Sequence, residues 1–137
     1  MKVVLDTNVF VGAFLSKTSN AARILELLRL EAFELVVSEP ILREYEDVLK
    51  YDKLRKLHKL TNEQISQLIE DISTIAILVE PEVELLVVRG DADDNMLFEC
   101  ALDGDAEFII SGDALVQSIK EYQGIRVLSP SLFLALF

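Results

Sequence analysis

Two rhythms of apolar and polar residues alternate along this chain. Short, mostly apolar runs at 3–5, 33–37, 75–79, 108–110 and 125–128, interrupted only by Glu34 and Arg126, read as buried strands of a parallel sheet. Between them apolar residues recur at helical spacing. Asn8 is a plausible N-cap for a helix over 9–15, and Ser19-Asn20 opens a second one carrying Ala21, Ile24, Leu25, Leu27 and Leu28. Ser38-Glu39-Pro40 combines a capping serine, a first-turn acid and a tolerated proline, ahead of Ile41, Leu42, Tyr45, Val48 and Leu49. Further helices are expected from Thr61 to about Ser73, after the acidic stretch 89–95, and from Ser129-Pro130 onward. Strands alternating with helices through short loops predict a three-layer, Rossmann-like α/β/α fold with a mostly parallel sheet of about five strands. With 137 residues and neither linker nor repeat, the chain is expected to be one domain, 1–137.

Where the strands end, acids begin. Asp6 closes the first strand and Asp113 follows the fourth within Ser111-Gly112-Asp113. Asp94 precedes Leu97, Phe98, Ala101 and Leu102 by three, four, seven and eight residues, so it lies in line with the apolar face of its helix. The helix dipole, worth roughly 0.3–1 kcal/mol, is one reason for a carboxylate there, and a metal ion is the other. Parallel α/β folds build their sites outside the carboxyl ends of the strands, and these three acids are expected to share that rim. On the 38–49 helix Glu44 and Glu46 lie near opposite edges of the apolar arc, and periodicity does not choose between them.

Composition sharpens this picture. Thirteen basic residues against 24 acidic ones give a net charge of −11, unfavourable for simple phosphate-backbone binding. Residues 50–59 run the other way: Lys50, Lys53, Arg55, Lys56 and Lys59 face only Asp52, a local +4 that leaves −15 for the rest. That run is either a solvated helix end or a phosphate-steering edge beside the helix of Glu44, and His58 within it is expected to be solvated. Two carboxylates about 5 Å apart repel by roughly 3 kcal/mol at an effective dielectric of 20, so a shared rim calls for a cation or for protonation. Oxygen-only ligands favour Mg²⁺ or Mn²⁺, one or two ions, and two would cancel about four negative charges. No EF-hand loop supports Ca²⁺, and one Cys with one His does not suit Zn²⁺. The single cysteine, Cys100, forms no internal disulfide and suits a reducing, cytoplasmic setting. Asp6 interrupts any signal-peptide core, and no apolar run is long enough for a membrane span.

Four motifs in order, hydrophobic-Asp-Thr-Asn at 3–8, Ser-Glu-Pro-Ile-Leu-x-Glu-Tyr at 38–45, Asp-x-Asp-Asp-Asn at 91–95 and Ile-Ile-Ser-Gly-Asp at 109–113, resemble the PIN domain family across essentially the whole chain. The resemblance is nearest to the VapC-like toxins of prokaryotic toxin–antitoxin systems. It implies a metal-dependent ribonuclease with an acidic quartet, mapping to Asp6, Glu44, Asp94 and Asp113, and thereby selects Glu44 over Glu46. Asn8 and Ser111 match polar positions beside the metal, and Asp93 is a candidate for an auxiliary metal contact. Family members often carry proline where this chain has Ala92 and a further acid where it has Gly90; neither change removes a ligand. RNA as substrate and a possible antitoxin partner follow from the resemblance. The C-terminal helix with Leu132, Phe133, Leu134, Leu136 and Phe137 is partly surplus to one helical face: most of it is expected to pack on the sheet and some of it to serve a homodimer. Two other readings compete: a non-catalytic PIN-like module binding RNA or protein, and an aspartate-based phosphotransfer domain. The latter wants a second acid at position 8, which is Asn8.

Overall fold

The computed structural model describes residues 1–82, 84–88 and 91–137. The Gly90 departure therefore lies outside the described residues. Six strands form one sheet in the order β3-β2-β1-β4-β6-β5. They are β1 (Lys2–Leu5), β2 (Glu34–Ser38), β3 (Ile77–Val79), β4 (Phe108–Ile110), β5 (Glu121–Tyr122) and β6 (Ile125–Leu128). Every pairing is parallel except β5 with β6. The helices are α1 (Thr7–Gly12), α2 (Asn20–Arg29), α3 (Glu39–Leu49), α4 (Asp52–His58), α5 (Asn62–Ile75), α6 (Ala92–Asp103), α7 (Ala114–Gln117) and α8 (Pro130–Leu134). The expected three-layer, mostly parallel α/β architecture is the one observed.

The chain runs outward from β1 to β2 and β3, then returns through α6 to place β4 on the other side of β1. Right-handed crossovers put helices that connect in opposite directions on opposite faces of the sheet. The reversal between β1 and β4 is the switch point, where the segments leaving the two strands diverge and open a crevice. Val3, Val4, Leu5, Ile109 and Ile110 are at most 1% exposed, which explains why both strands read as continuous apolar runs. The ladder extends past the strand ends: Asp6 N–H donates to Ile110 O at 2.9 Å and Ser111 N–H to Leu128 O at 3.0 Å. Tyr45 ties α3 to the same rim. Its ring stacks on Phe10 at 4.2 Å between centroids, and its hydroxyl donates to the carbonyl of Leu5.

Several local expectations are corrected. The cap of α1 is Asp6, whose carboxylate accepts from Thr7 N–H, and the helix begins two residues earlier than read and ends at Gly12. A carboxylate outcompetes the Asn8 amide there because it is ionic and already held at the strand end. α5 extends to Ile75, so β3 starts only at Ile77. α4 was not anticipated; it buries no residue, which is why its sequence shows no apolar stripe. The sixth strand comes from a tight hairpin, with Gln123 at φ 47° and Gly124 at φ 85° supplying the two positive φ values of a type I′ turn. His58 is not solvated: it is half-buried, with Nε2 2.7 Å from Leu49 O, and Nδ1 accepts from Leu60 N–H at 2.9 Å. Cys100 is fully buried and its thiol is pushed up to about 12 by that burial, consistent with an inert core residue. No helix among the described residues is long and apolar enough to cross a membrane.

Gly104, after α6, is required by space and not by backbone conformation. A Cβ there would stand 2.5 Å from Val36 Cγ1 and 3.2 Å from Cys100 O. Gly104→Ala is accordingly expected to lower unfolding free energy by about 1–3 kcal/mol, read from urea denaturation. An unchanged midpoint would mean that β2 yields freely at this contact.

Candidate active site: an acidic cavity at the switch point

Each acid reaches the rim through a local device. Asp6 is carried there by β1 and is 6% exposed. Its Oδ1 accepts from Thr7 N–H at 2.7 Å, and its Oδ2 accepts from Asn8 Nδ2 at 3.1 Å and from Ser111 Oγ at 2.6 Å. Glu44 projects from α3 and accepts the Thr7 hydroxyl at 2.7 Å, so one threonine links the first two acids. Asp113 caps α7 by accepting from Leu115 N–H at 2.8 Å, while its own N–H donates to Ser111 Oγ at 3.0 Å. Asp94 stands in the first turn of α6, whose N-cap is Asp91, accepting from Asp94 N–H at 3.0 Å. Capping and cavity lining thus coexist at Asp113.

These devices converge on one cavity of about 470 Å³. Its lining is acidic in Asp6, Glu44, Asp91, Asp93, Asp94 and Asp113, which stand with Thr7 and Asn8, and apolar in Val11, Leu15, Val48 and Leu54. All four acids of the expected quartet, and Asp93 and Asn8, are brought together. Ser111 sits beneath them, 0% exposed. Glu46 is not among the lining residues; it pairs with Lys50 at 3.5 Å. None of the five basic residues of 50–59 lines the cavity. Lys50 is held by Glu46, and Arg55 is tied to Asn62 Oδ1 at 2.6 Å and Lys50 O at 3.4 Å. Lys53, Lys56 and Lys59 are exposed on or just after α4, the helix whose Leu54 forms part of the wall.

Crowding shows in the protonation equilibria. Burial raises the Asp6 carboxyl, opposed by the bonds from Ser111, Thr7 and Asn8. Burial raises Glu44 too, opposed by Thr7 and reinforced by the charges of Asp93, Asp6 and Asp91. Asp94 moves furthest, to about 7, through desolvation, then the charge of Asp91 and a side-chain hydrogen bond with it, then the charges of Asp6 and Asp113. Asp94 Oδ2 is buried and has no partner among the described residues. A buried, unpaired carboxylate oxygen calls for a proton or a cation. The donor set facing it is oxygen only, the chemistry of a hard divalent ion. Among the described residues no group of three His, Cys, Asp or Glu side chains stands close enough to hold one ion directly. The acids line a wall rather than a closed cage, an arrangement that suits an ion keeping part of its water shell.

Three contributors had escaped notice in the sequence: Thr7, bonded to Glu44; Gly112, whose N–H donates to Asn8 Oδ1 at 2.8 Å; and Gln117, whose amide donates to Ser111 O at 2.6 Å. Thr7 sits inside the first motif and was legible there as the only hydroxyl beside Asp6. Gly112 and Gln117 carry no signal of their own.

Fold and site together define a parallel α/β protein with an acidic cavity at the switch point of its sheet. Residues 2–115 match the family model described as PIN domain, and the chain belongs to that family. It is 33% identical over 122 residues to the uncharacterized protein MJ1680 of Methanocaldococcus jannaschii, covering 88% of this chain and 76% of that one. Its fold is similar to a chain in the structure of VapBC2 from Rickettsia felis bound to a DNA fragment from their promoter, with TM-score 0.60 at 16% identity over 94% of this chain and 98% of that one. It is likewise similar to a chain of VapBC-1 from nontypeable Haemophilus influenzae, with TM-score 0.62 at 16% identity over 96% and 99% of the two chains. The four sequence motifs therefore identified the family correctly.

The raised Asp94 carboxyl carries a consequence for stability. The unfolded chain ionises this group near its ordinary value of 3.8, whereas the folded chain resists ionisation until about 7. The contribution of this group to stability is thus fully present below about pH 4 and is lost as pH rises through 7. In EDTA, the wild-type urea midpoint is expected to decline between pH 5 and 8, with a shallower decline in Asp94→Asn. Identical pH slopes for the two proteins would contradict this assignment.

Proposed function

We propose that this protein is a metal-dependent endoribonuclease, the toxin of a toxin–antitoxin pair, that hydrolyses RNA phosphodiester bonds at the acidic cavity. The observation that carries the proposal is the convergence of Asp6, Glu44, Asp94 and Asp113, from four distant segments, on one cavity in which a buried oxygen of Asp94 has no partner among the described residues. Family membership supports nuclease chemistry, and the similarity of fold to chains of two VapBC structures supports the pairing with an antitoxin.

In this reading Asp6, Glu44, Asp94 and Asp113 hold one or two Mg²⁺ or Mn²⁺ ions, directly or through water. When bound, the metal supplies an activated water and positive charge for the leaving oxygen. The chain supplies geometry. Thr7, Asn8 and Ser111 fix both oxygens of Asp6, and the Thr7 hydroxyl orients Glu44, so little ordering remains when substrate arrives. The apolar wall of Val11, Leu15, Val48 and Leu54 keeps water off one side of the phosphodiester. Asp93, exposed beside Glu44, is an auxiliary contact. Lys53, Lys56 and Lys59 steer the RNA backbone toward a site whose own charge would repel it. Leu132, Leu136 and Phe137, exposed by 59%, 48% and 52%, support a homodimer. The cytoplasm is the compartment in which RNA and an antitoxin would be met.

Purified protein incubated with mixed RNA is expected to cleave it in Mg²⁺ or Mn²⁺ and not in EDTA. Asp94→Asn and Asp6→Asn should each lower the rate by at least about 100-fold, since losing a ligand exceeds the cost of losing its supporting hydrogen bond. Cleavage that persists in EDTA or in Asp94→Asn would refute the mechanism. The toxin role has a separate readout: induced expression in a bacterial host should arrest growth, and Asp94→Asn should abolish the arrest. Continued growth under wild-type expression would remove that part of the proposal.

A further inference from the structure

We propose that Asn95 is a positioning residue that ties the backbone of Val87, Val88 and Asp91 to the start of α6 and thereby sets where Asp91 and Asp94 stand in the cavity. This inference rests on the metal-site reading above. Asn95 is 4% exposed, and its carboxamide uses its full hydrogen-bonding capacity. Oδ1 accepts from Val87 N–H at 2.8 Å and from Val88 N–H at 2.7 Å, while Nδ2 donates to Val88 O at 2.9 Å and Asp91 O at 2.8 Å. All four bonds go to the backbone of the segment that leads into the acids. Val88 is itself 2% exposed, so its N–H has no recourse to water if the amide is removed, while its C=O keeps the bond from Asp91 N–H at 3.3 Å. Asp91 is the next link: its carboxylate caps Asp94 N–H at 3.0 Å, and both carboxylates line the cavity.

The residue type fits this role narrowly. Asparagine is a poor helix former, yet it occupies the fourth position of α6, immediately after Asp94. Aspartate would offer no donors to the two carbonyls and would add a further charge to a crowded site. Leucine or alanine would satisfy the helix and abandon the segment. The sequence motif contained Asn95, but nothing in it revealed which backbone the amide would meet.

The test uses the full chain and Mn²⁺ as probe. Mn²⁺ affinity is measured by calorimetry, and amide hydrogen exchange at Val87 and Val88 by NMR, for wild type, Asn95→Ala, Asn95→Ser and Leu97→Ala. The last removes a buried side chain, 3% exposed, from the same helix and controls for general destabilisation. Asn95→Ala is expected to weaken Mn²⁺ binding by about 10–100-fold and to speed exchange at both amides, whereas Leu97→Ala lowers the melting temperature and leaves Mn²⁺ affinity unchanged. Asn95→Ser, whose hydroxyl cannot span all four partners, should shift both readouts in the same direction, and it carries the test if the alanine variant does not fold. Wild-type Mn²⁺ affinity in the Asn95 variants, or a loss no greater than in Leu97→Ala, would overturn the inference while leaving the nuclease reading intact. Failure of the wild type itself to bind Mn²⁺ and to cut RNA would overturn that reading, and the role of Asn95 with it.

Discussion

A buried carboxylate at the end of the central strand is the constraint around which this protein is arranged. Asp6 lies almost wholly out of water, where an unpaired charge would be costly. Three donors make it tenable, and they come from its own helix start, from Asn8 and from Ser111 on the far side of the switch point. Those bonds do more than solvate a charge. Because Ser111 directly follows β4, the bond to Asp6 cross-links the strands on either side of the crevice. The Asn8 amide repeats that link through Gly112.

Given one fixed carboxylate, the others follow as a graded series. Glu44 has one supporting hydroxyl, from Thr7. Asp113 has one backbone donor, Leu115 N–H, and shares the capping of its helix. Asp94 has no donor to its buried oxygen and the most strongly raised carboxyl, about 7. The gradient runs from satisfied to unsatisfied across a single cavity. On the proposed reading, a site built this way is stable enough to fold and still has something to gain from a cation. The structural cost of that balance falls on the segment leading into α6, which the Asn95 carboxamide secures to the helix it precedes.

The charge distribution follows the same logic. A chain with net charge −11 gathers six acids around one cavity and sets the exposed Lys53, Lys56 and Lys59 on or just after α4, the helix that contributes only Leu54 to its lining. Keeping those cations out of the cavity matters. A lysine inside it would neutralise the acids without supplying the chemistry of a metal ion.

The sequence by itself determined the layered α/β class, most strands and helix caps, and three acids on one rim. These are legible because buried strands and amphipathic helices have fixed periods, and because Ser19, Ser38, Thr61 and Ser129 each sit where a helix needs a side-chain acceptor. What tertiary structure decided was everything that depends on which distant groups meet. The α1 cap passed from Asn8 to Asp6, His58 was drawn from solvent onto Leu49 O, and Arg55 was taken up by Asn62. The placement of Glu44 against Thr7, and of Asn95 against the backbone of Val87, Val88 and Asp91, likewise has no local signature. A period records the direction in which a side chain leaves its own element; its partner is chosen by the packing of another element, and no one-dimensional pattern carries that information.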